Sequence, residues 1–427
     1  MNDADSSKIK SLLAHMHISP VKKAEEADII LLNTCSIRWK AEHKVYSELG
    51  RFKKIKKSRP GVIIGVGGCV AQQEQDEMFK RAPHLDIVFG THNIHRIPDM
   101  IKEVDEKRDK VLQTDFFDSP EPLVYPVPEE GGIKAYVNIM RGCNNFCAYC
   151  IVPYVRGREV SRPDLEIIDE ITNLSDQGVK EITLLGQNVN SYGNGPDSGA
   201  SFPDLIRKVA EVNGIERIRF ATSHPKDLSH DLILAFQEVD KLCGHLHLPV
   251  QSGSNRILKA MNRVYTVESY LEKIEKLRSI APHISLTTDI IVGFPGESDE
   301  DFEMTLELMN KIRYDSAFSF KYSLRPGTAA AELDDKLPEA EKDRRLALLQ
   351  DLQTELTLEK NGLQVGKIET VLVEGESKKG MGMIYGRTGG NKIVNFPGDK
   401  NLFFKTVPVK ITKGFVNSLA GELQQVH

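Results

Sequence analysis

The sequence predicts an α/β chain in three parts: an N-terminal parallel sheet covered by helices, a partial six-unit βα barrel, and a small antiparallel β-barrel of OB-like type. Three observations carry that prediction. Continuous Val/Ile/Leu runs alternate with helical stretches through most of the chain, as expected of parallel strands buried on both faces. Helical patterns then give way after about Gly366 to short alternating strands and glycine turns. Finally, 427 residues exceed the roughly 250–300 at which a single hydrophobic core stops growing.

Residues 1–105 form the first part. Its strand-like runs are Ala27 to Asn33, Gly61 to Gly67 and Leu85 to Gly90, and two of them end in a cysteine, Cys35 and Cys69. In a parallel sheet all carboxyl ends lie on one edge, where ligands bind. Two cysteines 34 positions apart can therefore meet there. They are read as a second cluster site, helped by Gly67-Gly68, which permits close backbone approach; the alternative is two ordinary buried cysteines. Residues 106–131, with Pro120, Pro122, Pro128 and Gly131-Gly132, read as a linker.

Residues 132–362 carry six strand-like runs between amphipathic helices: Ala135 to Met140, Glu181 to Gly186, Arg217 to Phe220, His245 to Val250, Ser285 to Val292 and Ser316 to Tyr322. Successive βα units of this kind argue for a partial relative of the βα barrel, with its site at the carboxyl ends of the strands. Just after the first run comes Cys143-Asn144-Asn145-Phe146-Cys147-Ala148-Tyr149-Cys150, a C-x3-C-x2-C spacing. Three soft thiolates on a short loop can hold a cubane iron–sulfur cluster by three irons, leaving the fourth open to a small molecule. A zinc knot is the alternative, but no histidine lies in the loop to supply a fourth ligand. The spacing and its place after a first strand resemble the radical S-adenosylmethionine (SAM) signature.

Two later strand ends, Gly186-Gln187-Asn188-Val189-Asn190 and Gly293-Phe294-Pro295-Gly296-Glu297, combine glycines with polar groups suited to a SAM pocket. Gln187, Asn188, Gly293 and Glu297 are the candidate SAM contacts. His224, His245 and His247 also sit near strand ends, either to touch substrate or to satisfy core hydrogen bonds. Cys243 has no partner at ligand spacing and reads as a structural thiol.

Residues 363–427 hold the alternating strands. From Asn361 onward nine Lys and Arg stand against five Asp and Glu, so this end is net positive while the whole chain is −5. With Tyr385, Phe396, Phe403 and Phe404 interleaved, the segment reads as an RNA-binding module, or else as a plain structural cap. A second basic run, Arg51 to Arg59, fits the same polyanionic partner. The sequence has no stretch near the ~20 apolar residues of a membrane span and no signal-peptide pattern at Met1 to Asp5, so a cytoplasmic protein away from membranes is expected.

Taken together, these motifs resemble one family along nearly the whole chain: the radical SAM methylthiotransferases, with an N-terminal cluster domain, a radical SAM barrel and a C-terminal TRAM domain. Leu32 to Arg38, Gly65 to Ala71, Ile151 to Glu159, Leu185 to Asn190, Thr222 to Pro225 and Val394 to Phe396 look like the tRNA branch. The resemblance implies two 4Fe–4S clusters, one on Cys143, Cys147 and Cys150 and an auxiliary one at Cys35 and Cys69. It further implies SAM as co-substrate and a methylthio group placed on C2 of N6-dimethylallyladenosine at position 37 of tRNA. The implied partners are a tRNA anticodon stem-loop, held by the TRAM domain, and an electron donor the sequence does not identify; a monomer is expected. The family's first strand ends in Gly-Cys-Gln-Met-Asn, and Met1-Asn2 lines up with its last two residues. A missing first strand and a missing third auxiliary ligand are therefore expected, most simply from a misassigned start. Two rival readings stay open: a sister enzyme acting on threonylcarbamoyladenosine or on a ribosomal-protein aspartate, and a non-catalytic RNA-binding protein organised by zinc.

Overall fold

The structure is a computed structural model that describes residues 1–35, 39–117, 132–195, 199–334, 337–378, 380 and 382–424. The first sheet contains β1 (Ile29–Thr34), β2 (Ile63–Gly68), β3 (Ile87–Phe89) and β4 (Val111–Gln113), all parallel and in that spatial order. Alternation along each strand feeds two cores. Ile64 and Val66 join Leu49, Phe52 and Ile55 of the helix Trp39–Ser58 on one face. Ile63, Ile87 and Phe89 join Ile9, Ile97 and Met100 from the helices Asn2–His15 and Ile97–Lys107 on the other. This two-sided burial is what the unbroken apolar runs predicted.

One expectation needs correcting here. Val111–Gln113 falls in the stretch read as linker yet adds the fourth strand, because Val111 packs into the second core beside Ile87. The remainder of that predicted linker, 118–131, lies outside the described residues.

The barrel follows, from β5 (Lys134–Asn138), the short antiparallel ribbon of β6 (Met140–Arg141) and β7 (Val160–Ser161), then β8 (Glu181–Leu185), β9 (Arg217–Ala221), β10 (His245–His247), β11 (Ser285–Val292) and β12 (Ser316–Lys321). The first predicted run is thus split: β5 ends at Asn138, and Met140 turns away to pair with Ser161. Parallel sheets β5-β8-β9 and β10-β11-β12 meet through a bridge between Ile218 and Leu242. Val137, Ile182, Leu184, Ile218, Phe220, Leu246 and Leu286 face the helices and form the largest core. The alternate positions face inward and are mostly polar or aromatic: Tyr136, Thr183, Arg219, His245, His247, Thr287 and Phe318. A closed βα barrel fills this space with branched aliphatics. Here β5 and β12 are unpaired edges carrying the exposed rings of Tyr136 and Phe318.

The last part is a closed five-stranded barrel of β13 (Ile368–Glu376), β14 (Met383–Thr388), β15 (Ile393–Pro397), β16 (Thr406–Gly414) and β17 (Leu419–Leu423), in the order β13-β14-β15-β17-β16. The fifth strand was not foreseen, and it closes the barrel through a parallel pair, Val394 with Leu419. Phe396, expected among the RNA-facing aromatics, is fully buried in this core with Val371, Val409 and Leu419. Phe404 is exposed, at 36%, and Tyr385 and Phe403 are half-buried.

Two arginines join this barrel to the large one. Arg217 donates to the carbonyls of Arg387 and Thr370, and Arg219 to those of Thr388 and Gly389, at 2.7–3.0 Å. Glu181 stands 3.1 Å from the Arg219 Nε and 3.4 Å from Lys134. Buried charges persist where they are paired, and along this seam Glu181 is paired with Arg219 and Lys134.

Candidate functional site

The cysteine loop begins at Gly142, whose φ of +72° and whose approach to Arg158 leave no room for a side chain: a Cβ would lie 1.9 Å from the Arg158 carbonyl oxygen. The β6–β7 ribbon and a bond from Cys143 N–H to Gly157 O pin the loop's base. Its tip is held from across the barrel, with Ala148 N–H donating to Met261 O and the Asn262 amide donating to Phe146 O. Phe146 itself has φ +45°, between the first two cysteines. Non-glycine residues in that region cost on the order of 1–3 kcal/mol and persist where surroundings over-determine them. The Phe146 ring is clamped by the Arg158 guanidinium, 4.4 Å from its centroid, and by Tyr154 edge-on.

Cys143 and Cys147 are buried, and Cys150 is half-buried. Burial, with the neighbouring Cys147 sulfur, pushes the Cys143 thiol up to about 11 and the Cys150 thiol up to about 12. Thiols raised in this way become thiolates beside a cationic centre, and an iron–sulfur cluster would supply one. Among the described residues, no three His, Cys, Asp or Glu side chains already stand at single-ion ligating distances. Arg263, unforeseen from sequence, donates from Nη1 to the Cys147 sulfur at 3.3 Å.

Cys35 and Cys69 are placed by strand register. Thr34 pairs with Gly68 across β1 and β2, so the cysteines follow directly on paired residues. The Thr34 hydroxyl donates to Gly67 O at 2.6 Å and accepts from Val70 N–H at 3.2 Å, tying the two turns together. Gly68 takes φ +93°, with a would-be Cβ 2.3 Å from Thr34 O. Cys69 packs against Ile151 and Val155, one and five positions beyond Cys150. Thr91 Oγ1 donates to Val155 O, His92 Nε2 lies 2.9 Å from Arg156 O, and Arg156 reaches Asp5 at 2.6 Å. One short helix, Val152–Arg156, therefore forms a wall between Cys69 and the cysteine loop that precedes it.

At the end of β8, Gln187 has both amide atoms buried and without a protein partner. Asn188 donates to Asp227 at 2.7 Å and keeps its own Oδ1 unsatisfied. Orphaned polar atoms of this kind, at the carboxyl edge of a barrel, fit a polar ligand such as SAM. Gly293, at φ +69°, makes the turn after β11. The Glu297 carboxylate accepts from Gly293 N–H at 2.7 Å and from Arg345 Nη1 at 2.8 Å, so the structure uses it to hold that turn. Thr222 and Gln251, both at φ +72°, add strain at two more strand ends on the same rim.

His224 is buried, its Nδ1 accepting from Lys226 N–H, and burial holds its pKa down at about 2. His245 and His247 point into the lumen, where both meet the Thr287 hydroxyl; His247 also lies 3.5 Å from Asp289. Cys243 is buried at the opposite end of the barrel, before β10. In the second basic run, Arg51, Lys56 and Arg59 are paired with Glu25, Asp86 and Asp28, which removes much of its free charge. Sequence spacing carries no signal for Arg263 or Arg156, because each acts on a cysteine distant in the chain.

Comparison with known proteins gives a consistent pattern. The Radical SAM superfamily profile matches residues 137–309, that of uncharacterized protein family UPF0004 matches 1–90, and that of the TRAM domain matches 362–423. The chain is 53% identical over 424 residues to a tRNA-2-methylthio-N(6)-dimethylallyladenosine synthase from Syntrophus aciditrophicus, covering 99% of this chain and 92% of that protein. It is 52% identical to the protein of that name from Geotalea uraniireducens and 49% to that from Carboxydothermus hydrogenoformans, covering 99% of this chain and 96% and 97% of theirs. Among solved structures, the radical SAM methyltransferase TsrM from Kitasatospora setae superposes with TM-score 0.53 at 12% identity, over 76% of this chain and 66% of that one. The cobalamin-dependent enzyme OxsB gives 0.52 at 14%, over 82% and 53%. These two likenesses speak to the fold alone.

Proposed function

The chain belongs to the radical SAM methylthiotransferases, a family of enzymes, and from that premise we propose that it places a methylthio group on C2 of N6-dimethylallyladenosine beside the tRNA anticodon. The observation that carries the proposal is the shared wall: Cys69 packs on Ile151 and Val155, directly beyond the cluster loop. Two cysteine sets on one wall suit a reaction that needs hydrogen removed and sulfur delivered at one carbon.

A 4Fe–4S cluster held by Cys143, Cys147 and Cys150 would with SAM supply hydrogen abstraction, a second held at Cys35 and Cys69 would supply sulfur, and a further SAM would supply the methyl group. The chain's own residues hold and shield that chemistry. The amide of Gln187 and the free Oδ1 of Asn188 are the groups we assign to SAM, with the Gly293 turn approaching closely because Glu297 and Arg345 hold it in shape. Tyr136 and Phe318, on the two unpaired edge strands, are placed to stack on an unstacked purine entering the lumen. The C-terminal barrel is assigned to the anticodon stem-loop, through its basic residues and Phe404 rather than Phe396. Reduction requires a one-electron donor. We assign the enzyme to the cytoplasm as a monomer, where tRNA is found; among the described residues no helix is long and apolar enough to cross a membrane.

The test is mass spectrometry of tRNA nucleosides from cells that lack their own methylthiotransferase and express this chain. Methylthio-dimethylallyladenosine is expected. Methylthiolation of threonylcarbamoyladenosine instead would move the chain to the sister activity, and unmodified nucleosides from a chain carrying iron and sulfide would overturn the proposal.

A further inference from the structure

Arg263 is 7% exposed, yet all three of its nitrogens are engaged. Nε donates to the Tyr265 hydroxyl at 3.0 Å, Nη2 to Pro249 O at 2.9 Å, and Nη1 to the Cys147 sulfur at 3.3 Å. Tyr265 in turn donates to Val250 O at 2.8 Å, so the guanidinium is braced from both sides. Among the described residues, no carboxylate forms an ion pair with it. The loop therefore has a fixed, buried and uncancelled positive charge resting on one cluster ligand.

The other cysteine set offers a built-in contrast. Arg156 is as deeply buried and also sits beside a cysteine sulfur, that of Cys69, but Asp5 lies 2.6 Å from it and cancels its charge. The local arrangement is the same and the net charge is different.

We propose that Arg263 is a positioning residue that raises the reduction potential of the loop's cluster, making it the readier of the two to accept an electron. A cluster on three thiolates becomes one unit more negative on reduction. A hydrogen bond and a fixed cation on a ligating sulfur stabilise that reduced form more than the oxidised one, and the low dielectric of the site enlarges the difference. The ordering matters chemically, because the electron is needed where SAM is cleaved and not at the cluster that gives up sulfur. The inference rests on the radical SAM cluster and not on the tRNA substrate, so it stands or falls apart from the methylthiolation assay.

The experiment is an EPR-monitored redox titration of the full, cluster-loaded chain without SAM, poised with dithionite. In Arg263→Gln the reduced-to-oxidised ratio of the loop cluster at fixed potential should fall at least tenfold, about 59 mV for one electron, with the auxiliary signal unmoved. Arg263→Lys, which keeps the charge, should shift less, and Arg207→Gln, a surface change remote from both sites, not at all. Should Arg263→Gln fail to hold its cluster, Tyr265→Phe, which keeps the arginine but loosens it, should shift the midpoint in the same direction. An unchanged midpoint in whichever of these two variants retains the cluster overturns the proposal, as does an equal shift of both clusters.

Discussion

The two cysteine sites of this chain are built by opposite means. Cys143, Cys147 and Cys150 lie on one loop whose shape is set locally by Gly142, the β6–β7 ribbon and the strained Phe146. Cys35 and Cys69 follow neighbouring strand ends only because β1 and β2 pair in register, and Asp5 and Arg156 from elsewhere in the chain complete the surroundings of Cys69. The first is therefore a property of eight residues, and the second a property of a whole sheet. The difference bears on how each should fail.

The sharpest way to break the comparison is to delete one ligand from each site. Cys147→Ala should abolish both the methylthio product and 5'-deoxyadenosine formation, because no cluster remains to engage SAM. Cys69→Ala should abolish only the methylthio product, with 5'-deoxyadenosine still released. Chromatography of both products from one reaction decides it. If Cys69→Ala also stops 5'-deoxyadenosine formation while the loop cluster is intact by EPR, the division of labour between the sites is wrong.

A smaller perturbation separates local from register control. Gly142→Ala drives a Cβ into the Arg158 carbonyl at a positive φ, and should cost the loop its cluster while leaving the N-terminal sheet folded. Thr34→Val removes a donor to Gly67 O and an acceptor for Val70 N–H, at a cost of about 1–3 kcal/mol for groups left unsatisfied. It should lower iron at the auxiliary site while the loop cluster keeps its signal. Equal loss of iron from both sites in either variant would mean that they assemble as one unit.

Legibility from sequence follows the same division. The loop could be read from spacing, since three cysteines within eight residues need no tertiary information. That Cys35 and Cys69 follow neighbouring strand ends was readable because parallel strands expose their carboxyl ends together. Arg263 and Arg156 were not, because a side chain that crosses the fold to touch a sulfur leaves no local pattern. β4 and β17 escaped for a related reason: each is short and gains its burial from partners far away in sequence, Val111 from Ile87 and Leu419 from Val394. Phe396 was misread as a surface ring because an aromatic in an alternating strand looks alike whether it faces RNA or a core.

The mildest test uses acid. His224 and His245 both belong to the barrel, and burial holds them neutral, down at about 2 and about 3. An unfolded histidine titrates near 6.5. Between that value and about 3 the unfolded chain binds protons that the folded barrel refuses, so the stability these groups contribute is present above pH 6.5 and is lost progressively as pH falls toward 3. Asp301, whose carboxyl Arg256 and Ser254 hold down at about 2 against the opposing effect of burial, extends the decline below pH 4. The melting temperature should therefore drop from pH 7 to pH 4.5, and His245→Asn, which keeps a polar group near Thr287 but cannot titrate, should flatten that slope. In the N-terminal sheet burial also lowers His84, which is only partly buried. The barrel that carries the cysteine loop should then lose stability steadily in acid, and a melting temperature that stays level from pH 7 to pH 4.5 would remove the two buried histidines as its cause.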